Sequence, residues 1–129
     1  MREKDFQNKF NKWLKANYEY SAAFELKITK GNSLPFSAVK QHQIDSLLAV
    51  QNYKLIYKIA DDSIGFKPFD CFCMRRLPAY IVILFYKLRQ PSKFYAIRID
   101  KWIEKQIMSD RKSLVEEKAN LIAEFSDII

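Results

Sequence analysis

Phe6, Phe10, Trp13 and Leu14 stand four, three and one residues apart, which is the stripe of an amphipathic helix over Lys4 to Asn17. Lys9, Lys12 and Lys15 fall off the stripe and give that helix a basic outer face. From Tyr18 to Thr29 the period drops to two and predicts a strand: Tyr20, Ala22, Phe24, Leu26 and Ile28 share one face, and Ala23, Glu25 and Lys27 share the other. Turn residues over Lys30 to Pro35 follow. Ser37 can cap a second helix that runs to about Gln51, with Val39, Leu47, Leu48 and Val50 apolar. Lys54 to Ala60, Pro68 to Met74 and Ala79 to Leu88 read as three further strands. Arg75 and Arg76 make a short basic turn that joins the last two into a hairpin. Phe94 to Ile99 reads as a final strand, and Asp100 is placed to cap a helix containing Trp102, Ile103 and Ile107. Ser113 with Glu116 has the spacing of a capping box, after which Val115, Ala119 and Ile122 repeat at helical intervals.

The chain has 129 residues, 49% hydrophobic and 29% charged, with two glycines and four prolines, so it suits one globular domain over residues 1–129. No repeat or linker divides it. Its most apolar run, Tyr80 to Tyr86, is far shorter than the roughly 20 residues of a spanning helix. Met1 to Phe10 lacks the apolar run of a signal peptide. These features predict no membrane association and a cytoplasmic location. Cys71 and Cys73 lie on one face of a predicted strand, where a bridge has poor geometry, and read as reduced core cysteines. His42 is the only histidine and stands far from both, which argues against zinc.

Lysine and arginine number 22 against 15 acids, a formal charge of +7 that suits a polyanion. Lys12, Lys15, Lys30, Lys40, Arg75, Arg76, Lys87, Arg89 and Lys93 are candidates for phosphate contacts, although such residues often form only a solvated face. Tyr18, Tyr20 and Trp13 could stack on unpaired bases, but aromatics at this spacing commonly pack a core.

Three positions carry candidate chemistry. Glu25 and Lys27, at i and i+2, leave the strand in the same direction. A carboxylate to hold Mg²⁺ beside an ammonium to orient water or a phosphate is what metal-dependent phosphodiester hydrolysis uses. A solvated polar face of a half-buried strand gives the same pattern. Gln43 interrupts the Val39 and Leu47 stripe of the second helix, so its amide needs partners, functional or structural. Asp70, between Phe69 and Cys71 in an apolar segment, either emerges to solvent or supplies a second metal carboxylate.

The run Ala23, Phe24, Glu25, Leu26, Lys27, Ile28, Thr29, followed by Pro35, Phe36, His42 and Gln43, resembles the Holliday-junction resolvases of Gram-positive bacteria. These form the penicillin-binding-protein-related factor A group, to which small phage proteins are related, within the PD-(D/E)XK nucleases. The resemblance covers about Phe6 to Tyr57. It implies a restriction-endonuclease-like α/β fold, with a mixed central sheet flanked by helices. It also implies a Mg²⁺- or Mn²⁺-dependent endodeoxyribonuclease for four-way or other branched DNA in recombination, working as a homodimer. Glu25 would be a metal ligand, Lys27 the catalytic lysine and Gln43 a site residue. That family carries a catalytic aspartate on a hairpin before the Glu-x-Lys strand, and Tyr18 to Ala22 leave no room for one. A permuted strand order, in which the hairpin Pro68 to Leu88 fills the gap and Asp70 joins Glu25 at the metal, is the expected solution. Glu3, Asp5 and Glu19 are the next acids in line. The rival readings are a non-catalytic DNA-binding module of the same fold, and a small host-takeover protein that binds another protein through its aromatic surface.

Overall fold

The computed structural model describes residues 1–58 and 69–129. Its elements are α1 (Glu3–Asn17), β1 (Ala23–Thr29), β2 (Ser33–Pro35), a 3-10 turn (Phe36–Ala38), α2 (Gln41–Asn52), β3 (Lys54–Lys58) and β4 (Cys71–Arg75). They continue with β5 (Ala79–Phe85), β6 (Lys93–Arg98), α3 (Ile99–Met108), β7 (Ser113–Val115), α4 (Glu116–Ile122) and β8 (Phe125–Ile128). The chain is mixed α/β, with a four-stranded sheet in the order β1-β5-β6-β8. β1 and β5 run parallel, and the other two pairings are antiparallel.

All seven residues of β5 are buried, so this strand is covered on both faces and paired on both edges. On one face Phe6 and Phe10, one helical turn apart on α1, meet Tyr80, Val82, Leu84, Phe94 and Ala96. On the other, Ile44 and Leu47 of α2, Trp102 of α3 and Ala119 of α4 cover Ile81, Ile83, Tyr95 and Ile97. α1 starts where the Arg2 backbone N–H donates to Asp5 Oδ2 at 3.1 Å, and it ends with Lys15 in its last turn, which suits the helix dipole.

The expected hairpin from Pro68 to Leu88 does not form. β4 pairs antiparallel with β3 in a separate ribbon, while both edges of β5 are taken by β1 and β6. Leu77 N–H donates to Val50 O, which ties the β4–β5 connection to the end of α2. Ile59, Ala60 and Pro68, expected in strands, lie outside the described residues.

Other local expectations change because side chains find other partners. The expected second helix starts only at Gln41, since Ser37 lies in the 3-10 turn. Asp100 sits inside the first turn of α3 and does not cap it; it accepts from Gln51 and pairs with Arg98. Ser113 belongs to β7, paired with β2, and Glu116 is held by Lys87 and Tyr95, so the capping box is absent. Cys71 and Cys73 are free but exposed on the ribbon, not in the core. No helix among the described residues is long and apolar enough to cross a membrane.

β8 closes the sheet and locks α1 to it. Trp13 Nε1 donates to Asp127 Oδ2 at 2.8 Å, and the Ile128 N–H donates to Asp127 Oδ1 at 2.8 Å. The Trp13 hydrogen bond is the largest of the causes that hold the Asp127 carboxyl below its usual range, ahead of the Ile128 N–H and the Lys93 charge. Because the folded state favours the charged form, this contribution is present above the ordinary aspartate range and fades as pH falls through the lower folded value. Denaturant titrations of Asp127→Asn against wild type should therefore differ at pH 7 and converge as pH falls below about 4. A difference that stays constant with pH would contradict this.

Candidate functional site

β1 is the edge strand of the main sheet, and its odd positions point toward the α2 layer. Ala23 packs in that layer's core, while Phe24, Leu26 and Ile28 pack with α1. Glu25 and Lys27 therefore stand beside Ile81 and Ile83 of β5 and not on an open polar face. Their side chains are only 28% and 16% exposed, so each must find a partner. Lys27 Nζ lies 3.4 Å from Glu25 Oε1, and Gln43 Nε2 donates to that same oxygen at 2.8 Å.

Gln43 is aimed by its own helix end. Its Oε1 accepts the Lys40 backbone N–H at 2.9 Å, satisfying a donor of the α2 N-terminus and turning the amide nitrogen toward Glu25. Val39 and Leu47, four residues away on either side, are buried, as the interrupted stripe predicts. Carboxylate, ammonium and amide thus converge from β1 and α2.

Two oxygens of this cluster suit a hard divalent cation. Both contacts of Glu25 go to Oε1, which leaves Oε2 without a partner among the described residues. The second oxygen is a backbone one. Ala23 N–H donates to Pro78 O and Thr29 O accepts from Tyr86 N–H, so the odd residues of β1 bond toward β5. The carbonyl of Leu26, between Glu25 and Lys27, points to the outer edge, which has no strand partner among the described residues. No group of three His, Cys, Asp or Glu that could hold a metal occurs among the described residues. A cation here would complete its shell with water and phosphate oxygens, as Mg²⁺ commonly does.

Asp70 stands exposed at the bend before β4. Of the expected phosphate-contacting residues, Lys12, Lys15, Lys30, Lys40, Arg75, Arg76 and Arg89 are exposed, Lys87 and Lys93 are half-buried with Lys87 bonded to Glu116, and they do not form one patch. Lys12 and Lys15 lie on α1, across the sheet from Gln43; Lys30 follows β1; Lys40 precedes α2; Arg75 and Arg76 end the ribbon.

A second polar cluster escapes the sequence reading. Tyr95 OH and Lys87 Nζ both donate to Glu116, each at 2.9 Å. Burial, then the Glu116 hydrogen bond, pushes the Tyr95 hydroxyl up to about 12. Tyr95 pairs with Ile83, the partner of Lys27, so it occupies the same level of the sheet one strand further in. Its signal in the sequence was a hydroxyl inside an apolar strand.

Replacing Gln43 with Ala removes a hydrogen bond to a carboxylate and leaves the Lys40 N–H without its side-chain acceptor. The expected loss is about 1–3 kcal/mol of folding free energy, read by urea denaturation; a loss below about 0.5 kcal/mol would mean the bridge is not held in solution. Comparisons of the chain with family models, with curated proteins and with solved structures find no match.

Proposed function

We propose that this chain is a metal-dependent endonuclease of the PD-(D/E)XK type, with a restriction-endonuclease-like fold, acting on branched DNA as Holliday-junction resolvases do. The observation that carries this reading is the half-buried Glu25, Lys27 and Gln43 cluster on an edge strand. A pair serving only solubility would be solvated, whereas this one is partly desolvated, mutually bonded and tied through Gln43 to a helix N-terminus. The parallel β1 and β5, linked through α2, and the helices on both faces suit the same reading.

Glu25 Oε2 and the Leu26 carbonyl would hold Mg²⁺ or Mn²⁺, which when bound supplies Lewis-acid polarisation of the phosphate and a more acidic water. Lys27 places a positive charge where the phosphate oxygens gain negative charge as the water oxygen bonds to phosphorus and the ester oxygen leaves. Gln43 keeps Glu25 oriented, with Oε1 engaged and Oε2 without a partner among the described residues. Asp70 remains the proposed second carboxylate. It immediately precedes β4, whose Phe72, Cys73 and Met74 share a groove with Ala22, just before β1, and with Phe24 of β1, so the ribbon approaches the α1 face of β1 and not the face that carries Glu25. Lys12, Lys15, Lys30, Lys40, Arg75 and Arg76 would contact phosphates, and two symmetric cuts across a junction call for a homodimer. A non-catalytic DNA-binding module of the same fold is the second reading. The want of a three-donor metal group among the described residues favours it.

The test is cleavage of an end-labelled four-way junction beside a linear duplex, in Mg²⁺, in Mn²⁺ and in EDTA. Paired, metal-dependent cuts in the junction are expected, reduced by about a hundredfold or more in Glu25→Ala and in Lys27→Ala. Asp70→Asn should behave like Glu25→Ala; full activity in Asp70→Asn would remove Asp70 from the site. Junction binding without cleavage under every condition would select the binding module.

A further inference from the structure

A groove of about 600 Å³ runs between the end of α1, the start of β1 and strand β4, away from the Glu25 cluster. Tyr18, Tyr20, Phe72 and Met74 line it, with Lys15 at the helix side. Its volume lies in the range of small-ligand sites. Tyr20 is 78% exposed, although its ring is held edge-on against Tyr18 at 6.2 Å and 86°, and Tyr18 is braced in turn on Phe24 at 5.7 Å. Trp13, by contrast, is absorbed into the core between Phe10 and Phe125. A large aromatic side chain at a groove lip, left uncovered while its neighbour fixes its ring, is a preformed stacking platform.

The lining decides what such a platform takes. It contains no carboxylate and it contains Lys15; of the exposed residues that lie in sequence between its lining residues, Arg75 and Arg76 follow Met74, and Glu19 stands between Tyr18 and Tyr20. The chain as a whole carries +7. Aromatic rings flanked by cations fit a strand whose bases are unpaired and whose phosphates track the charges. Duplex DNA offers phosphates but keeps its bases stacked inside, out of reach of Tyr20.

We propose that this groove binds a short single-stranded DNA segment, with one base stacked on Tyr20 and adjacent phosphates on Lys15 and Arg76. The proposal rests on the reading that the chain acts on branched DNA, and it adds that unpaired bases at the branch are what the groove recognises.

Fluorescence anisotropy with a labelled oligothymidylate, in EDTA, tests this apart from cleavage. Wild type should bind, Tyr20→Ala should bind about tenfold more weakly, and Tyr20→Phe should stay close to wild type, because the ring stacks and the hydroxyl does not. Binding to a duplex of equal length should be the same in all three. Lys15→Gln should flatten the salt dependence of oligothymidylate binding, since one phosphate contact is lost. Failure to bind the oligonucleotide, equal affinity in Tyr20→Ala, or an equal loss on the duplex would overturn the proposal. So would an apolar dye that binds the groove and is not displaced by the oligonucleotide, which would point to an apolar partner. Loss of cleavage without loss of this binding would overturn the nuclease reading alone.

Discussion

Strand β5 admits one place in this molecule. Ala79 to Phe85 are all buried, so every side chain needs an apolar neighbour on whichever face it meets, and both edges need hydrogen-bonded partners. α1 covers one face, while α2, α3 and α4 cover the other. β1 and β6 satisfy the edges, and the parallel pairing with β1 follows from the chain leaving that strand through α2 and the β3–β4 ribbon.

The same constraint creates the candidate site. With β5 apolar on both faces, the polar positions of β1 cannot share charge with their neighbour strand. Glu25 and Lys27 turn to each other and to the one amide that α2 offers. Leaving any one of the three alone would strand a partly desolvated polar group, which costs more than the net gain from an average hydrogen bond. The arrangement is therefore stiff on the side of Oε1. Oε2 and the outer edge of β1 have no partner among the described residues, and the proposed substrate phosphate would arrive there.

Periodicity revealed the parts of this fold whose causes are local. The Phe6 to Leu14 stripe, the alternation over Ala23 to Thr29 and the interruption at Gln43 each record which face of one element is covered and are found in the structure, whereas Tyr18 to Ala22, expected in the same strand, lie before β1. Pairing between distant segments left no such trace. The β4–β5 hairpin looked plausible because Arg75 and Arg76 resemble a turn, yet the competition of β1 and β6 for the edges of β5 decided otherwise. Ser113 and Asp100 have the residue types of helix caps. Their roles went elsewhere, because β2 recruited the backbone of Ser113, and Arg98 and Gln51 recruited the carboxylate of Asp100. β8 is too short and mixed to declare itself in sequence; it exists because Trp13 and Phe125 stack and Asp127 receives the indole N–H.

What separates an enzyme from a module of the same shape is whether the oxygens left open beside Lys27 hold a cation. Calorimetric titration of the protein with Mn²⁺ measures this directly, with Glu25→Ala as the comparison. Saturable binding in wild type that disappears in Glu25→Ala is the result this account predicts. Binding that survives unchanged in Glu25→Ala, or the absence of any heat in wild type, would contradict it.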